Sequence, residues 1–119
     1  HKLDLYASIL HLHTGLYMNV IETELNFIFN SIKKTKNVNI YISKVRESIY
    51  KFLIYNVTYK NITNNILKLL EKKYKKSESI LIHSIHELSV LDHDLLSSAK
   101  PIYHFELFFL KLYKLVNHA

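Results

Sequence analysis

Residues 101–117 read Pro-Ile-Tyr-His-Phe-Glu-Leu-Phe-Phe-Leu-Lys-Leu-Tyr-Lys-Leu-Val-Asn, and their spacing decides the fold. Ile102, Phe105, Phe109, Leu112 and Val116 recur at steps of three, four, three and four, the period of an α-helix. Pro101 falls in the first turn, where its missing N–H costs nothing. Leu107, Phe108, Leu110 and Tyr113 put further apolar bulk on the other faces, so the helix is apolar nearly all round. One small core is not expected to cover such a helix. At ~1.5–3 kcal/mol per large side chain, Leu107, Phe108 and Leu110 left in water would forfeit several kcal/mol. Phe105, Leu107, Phe108, Leu110, Lys111 and Leu112 are therefore predicted to form a contact surface for a partner chain. A membrane span is disfavoured: the apolar run falls short of the ~20 residues required and is interrupted by His104, Glu106, Lys111 and Lys114.

The same period recurs upstream. Ile21, Leu25, Ile28 and Ile32 predict a helix over about Val20 to Lys34, with Asn19 and Glu22 placed as a reciprocal cap. Val38 to Ile42 alternates like a strand, but Ile42, Val45, Ile49, Phe52 and Leu53 continue it with helical spacing for three turns, and helix wins on length. Thr58 is placed to cap a helix carrying Ile62, Ile66, Leu69 and Leu70. The polar run Lys72 to Ser79 reads as a connection, and Ser77 as the cap of a helix over Ile80 to Leu95 with Leu81, Ile85 and Leu88 on one stripe. Glu47 with Lys51 and Glu71 with Lys75 stand one turn apart as helix-surface ion pairs. Residues 1–13 suggest a short leading helix stopped at Gly15.

The expected architecture is thus all-α, a compact bundle of about five helices, with residues 1–16 as a leading piece and 17–119 as the bundle. Composition agrees. A chain of 119 residues with one Gly and one Pro lacks the punctuation of a many-stranded sheet protein, and 49% hydrophobic content suffices for a real core. There is no cysteine, which excludes a disulfide scaffold, a thiolate zinc site and a cysteine nucleophile. The sequons at Asn56 and Asn61 read as chance in an Asn-rich chain. The chain opens on His1 without an apolar signal region behind a basic start, and reads as a piece of a longer protein.

The net charge is +6, and every cation but Arg46 is lysine. That balance suits an acidic partner but argues against a module that reads bases, which relies on the bidentate fork of arginine. Lys33, Lys34 and Lys36, with Lys72, Lys73, Lys75 and Lys76, are the candidate contacts to DNA, set against solvated helix ends whose lysines complement the dipole. A basic helical module binding nucleic acid directly and nonspecifically is the alternative function. Of the eight histidines, His11 with His13, His83 with His86, and His93 between Asp92 and Asp94 cluster, yet none completes a recognised ligand spacing. Glu106, set among aromatics, is expected to make a hydrogen bond or ion pair at a subunit seam. With one glycine the chain holds no nucleophile elbow, Walker-type loop or dinucleotide fingerprint, so no catalytic, cofactor or metal residues are assigned.

Val45-Arg46-Glu47-Ser48-Ile49-Tyr50-Lys51-Phe52-Leu53, together with Ile102-Tyr103-His104-Phe105-Glu106 and the later Phe108 and Lys111, resembles the C-terminal collar region of replication factor C small subunits, the subunit-3 type above all. The resemblance runs from about Leu25 to Val116, and His93 also falls where that subunit type has a His. There are departures: Thr58 and Tyr59 replace paired prolines, Asp94 replaces an Arg, and Leu107 and Leu110 replace alanines. The resemblance implies a non-catalytic oligomerisation domain of the clamp loader, the five-subunit ATPase of DNA replication that places a sliding clamp on primer-template DNA. It further implies other replication factor C subunits as partners, the clamp and DNA as partners of the whole complex, and no membrane or small-molecule substrate. ATP and Mg would belong to the parent complex, residues 1–13 to the tail of the preceding ATPase lid domain, and the protein to the nucleus.

Overall fold

A computed structural model describes residues 20–118. Its five helices are α1 (20–34), α2 (Val38–Ile54), α3 (Tyr59–Lys73), α4 (Glu78–Leu95) and α5 (Pro101–Asn117), with no strand among the described residues. The leading helix expected over residues 1–13, the stop at Gly15 and the cap at Asn19 lie outside them. Val38 to Ile42 is helical, as the length of the downstream period required.

Local sequence sets the helix ends. Asn37 caps α2 by accepting from the Asn39 amide at 2.9 Å, and Thr58 caps α3 by accepting from the Asn61 amide at 3.2 Å. Ser77 stands at the start of α4 but its hydroxyl makes no capping bond; its backbone carbonyl accepts from the Leu81 amide instead. The end of α2 is closed by a residue that carried no sequence signal. Asn56 takes a positive φ of 54°, its amide donates to Leu53 O at 3.1 Å, and the Val57 amide reaches back to Phe52 O at 2.9 Å. That pair of bonds is the Schellman closure, with asparagine in the left-handed position usually held by glycine. Val57 and Phe52 are both buried and supply its apolar contact.

The helices alternate in direction, as short connections demand. α1 and α2 are antiparallel, with Glu24 against Ser48 and Lys51, and Thr35 against Lys44. α3 and α4 are antiparallel through Lys60 and Asp92, and α4 and α5 through Glu87 with Lys111 and Asp94 with His104. α1, α3 and α5 therefore run one way and α2 and α4 the other.

α5 is the axis of this arrangement. Phe109 meets Phe29 of α1 edge-on at 6.1 Å, Tyr113 lies on Tyr41 of α2 at 4.8 Å, and Phe105 meets Tyr59 of α3 at 6.0 Å. The Tyr113 hydroxyl donates to Thr35 O at 2.6 Å, and the Asn117 side-chain Nδ2 to Ile32 O at 3.1 Å, tying the last two turns of α5 to the end of α1. This corrects the sequence-based expectation for its apolar girth. Phe105, Phe108 and Leu112 are at most 3% exposed, because other helices of the same chain surround α5. They are spent on the bundle's own core and present nothing to another chain while it stays closed. Leu107 and Leu110 are half-buried, and Lys111 is exposed.

α4 buries Ser84, Leu88 and Leu91, one position round from the predicted stripe; Leu81 and Ile85 are half-buried. The buried hydroxyls of Ser84 and Thr63 are satisfied within their own helices, on Leu81 O at 3.0 Å and Lys60 O at 3.2 Å, and that of Ser48 by Glu24 of α1 at 2.9 Å. Tyr41 is the exception: its hydroxyl is buried and has no hydrogen-bond partner among the described residues.

Candidate functional site

Two surface features of the described residues bear on function. The first is apolar and lies where the end of α2 faces the start of α5. A groove of about 540 Å³ is lined there by Tyr50, Leu53, Tyr59, Ile102 and Tyr103, with Lys100 and Glu106 on its rim. Its edges stand well into solvent: Tyr50 is 50% exposed and Tyr103 59%, and Ile54 next along α2 is 77% exposed. From Tyr103 the α5 surface continues through Leu107 and Leu110, at steps of four and three that hold one helical face. The contact surface predicted from sequence comprised Phe105, Leu107, Phe108, Leu110, Lys111 and Leu112, and of these Phe105, Phe108 and Leu112 are buried in the core. The outward apolar face keeps Leu107 and Leu110 of that set and adds Tyr103.

Glu106 and Arg46 pin the groove's edge. The Arg46 guanidinium donates to both carboxylate oxygens, at 2.7 and 3.4 Å, joining α5 to α2 across 60 residues of sequence. The hydrogen bond to Glu106 and its charge raise the Arg46 pKa further above its already high value. The ion pair predicted at a subunit seam is thus made inside the chain. Lys51 turns to Glu24 of α1 at 2.7 Å rather than pairing with Glu47, and the same carboxylate accepts from the buried Ser48 hydroxyl at 2.9 Å.

The second feature is basic. Because α1 and α3 run in parallel, their C-terminal ends meet and bring together lysine groups that stand more than 30 residues apart in sequence. Lys73 of α3 donates to the Asn30 side chain of α1. Burial lowers the Lys73 pKa, and the neighbouring ammonium groups of Lys34 and Lys72 lower it further. Lys33, Lys36, Lys75 and Lys76 are exposed at the same end, in or beside the connections that follow the two helices.

The histidine and carboxylate clusters do not converge. His83 turns its Nδ1 to Ser79 O at 2.7 Å, Asp92 faces Lys60 at 4.0 Å, and Asp94 faces His104 at 3.8 Å. Among the described residues no group of three His, Asp or Glu side chains is placed to hold a metal ion, and no helix is long and apolar enough to cross a membrane.

A bundle whose last helix is its axis, with an apolar groove at one end and a lysine cluster at the other, defines a helical packing module. Residues 17–119 match the family model of the replication factor C subunit 3 C-terminal domain, and the chain belongs to that family. It is accordingly part of a clamp-loader subunit acting in DNA replication, whose partners are other replication factor C subunits. Neither the curated proteins nor the solved structures contain a significant match to it.

Proposed function

We propose that this chain acts as the collar of a clamp-loader small subunit, packing against the C-terminal domains of sister subunits to hold the ring that places the sliding clamp on primer-template DNA. The observation that supports this best is the apolar surface left outside a closed core: Tyr50 and Tyr103 at the groove and Ile54 next along α2, continued along α5 by Leu107 and Leu110. A monomer gains nothing from holding these side chains in water, and burial against a neighbouring chain would recover ~1.5–3 kcal/mol for each large one. Lys111, tied to Glu87 at 3.1 Å, then lies on the polar rim of that contact. On this reading the fragment contributes no chemistry of its own; ATP and Mg are bound elsewhere in the parent complex, which works in the nucleus.

The test replaces Tyr103 and Leu107 with Asp in the whole subunit and measures co-purification with its sister subunits. Loss of assembly, with the helical circular-dichroism signal and urea midpoint unchanged, is expected. Assembly at the wild-type level would count against the collar role of this face. Phe108 and Leu112 are unsuitable for this purpose, since charging either attacks the core.

A further inference from the structure

We propose that the end of the bundle where α1 and α3 terminate is a second binding site, one that takes the phosphate backbone of nucleic acid. The proposal stands apart from the collar role, because this end is opposite the apolar groove: α5 starts at the groove and finishes beside Thr35 and Ile32.

Three observations carry it. The lysines are gathered by the fold rather than by the sequence, since Lys73 bonds across to Asn30 and stands beside Lys34 and Lys72. They are also uncompensated. Each ion pair among the described residues uses Arg46, Lys51, Lys60, His104 or Lys111. Among the described residues no carboxylate lies within 4.0 Å of Lys33, Lys34, Lys36, Lys72, Lys73 or Lys76. Finally, a groove of about 230 Å³ leads away from the cluster between α1 and α3, lined by Lys68, Lys72, Asn26 and Asn65 above Leu25 and Leu69, with Glu22 at its far end.

Complementing the helix dipoles explains only part of this. A last-turn lysine such as Lys72 offsets unpaired carbonyls, but Lys36 and Lys76 lie past the helix ends, and the crowding of Lys34, Lys72 and Lys73 is a repulsion that dipole compensation does not require. An array of one sign relieves that repulsion when it meets an array of the other. The chemistry of the lining favours a phosphodiester strand: ammonium groups neutralise phosphates, and side-chain amides donate to phosphate oxygens. With no arginine at this end, the site would position a strand without reading its bases.

The experiment titrates the 119-residue chain into fluorescein-labelled 20-nucleotide oligothymidylate and follows anisotropy between 50 and 200 mM NaCl. Contact with about four phosphates of a single strand predicts roughly a 50-fold loss of affinity across that range. Charge reversal by Lys34→Glu, Lys72→Glu and Lys73→Glu together should weaken binding at least ~10-fold at 50 mM, whereas Lys60→Glu with Lys100→Glu, at the other end, should change it less than ~2-fold. The milder triple change to Gln serves if the reversal disturbs folding, which circular dichroism reports. Equal binding by the triple variants and the wild type would overturn the proposal, as would an equal loss at both ends. Tighter binding to labelled polyglutamate than to oligothymidylate would overturn it in favour of an acidic protein partner.

Discussion

Truncating Phe108 to Ala should destabilise the isolated domain and not merely its assembly. Phe108 is 3% exposed and stacks edge-on against Phe109 at 5.1 Å, which in turn meets Phe29 of α1. Removing a buried phenyl ring costs about 3–5 kcal/mol, because the lost transfer free energy is joined by that of a cavity that neighbouring rings fill only in part. A chain of this length has roughly 6–18 kcal/mol of stability in all. The substitution therefore removes a large fraction of it. With a urea slope of about 1.5–2 kcal/mol per molar, the midpoint should fall by about 2 M at constant slope. Urea unfolding followed by circular dichroism at 222 nm measures this directly. If Phe108→Ala moved the midpoint by less than about 0.5 M yet abolished co-purification with sister subunits, α5 would be an interface helix and its placement as the bundle's axis would be wrong.

Three further outcomes are expected. Tyr41→Phe removes a buried hydroxyl that has no partner among the described residues and should stabilise the fold by on the order of 1 kcal/mol. It should also flatten the loss of stability above pH 10. Burial holds the Tyr41 pKa above its ordinary value of 10.0, so the unfolded chain alone releases that proton there and gains up to ~1.4 kcal/mol per pH unit; urea midpoints at pH 9, 10 and 11 read the difference. Asn56→Gly should be tolerated, whereas Asn56→Val should cost about 1–2 kcal/mol at the left-handed position, a contrast visible in thermal melts. Glu24→Ala strands the buried Ser48 hydroxyl and should cost ~1–3 kcal/mol. Lys51→Ala loses only the exposed partner of the same carboxylate and should cost less than ~1 kcal/mol; urea midpoints again separate the two.

The helices were legible because each repeats its apolar residues with the helical period over about two to four turns, and Thr58 announced its cap through residue type alone. The Schellman turn at Asn56 left no trace in the sequence, since asparagine enters the left-handed region without the glycine that would have marked it. The reach of Glu106 to Arg46, and of Glu24 to Ser48 and Lys51, was equally hidden. Local rules favour partners one turn away, and these contacts join residues 60, 24 and 27 positions apart.

By itself, then, the sequence determined an all-α bundle with a family likeness in two segments and an apolar final helix, for periodicity and residue identity are properties of the chain alone. Only the tertiary structure decided what that helix is for. Apolar residues on every side demand neighbours on every side, but the pattern does not say whether the neighbours belong to the same chain or to another. Here other helices of the same chain close round Phe105, Phe108 and Leu112, and the apolar surface left outside on α5 keeps Leu107 and Leu110 and gains Tyr103. The lysine groups became one cluster for a similar reason: two helices that run in parallel end at the same place.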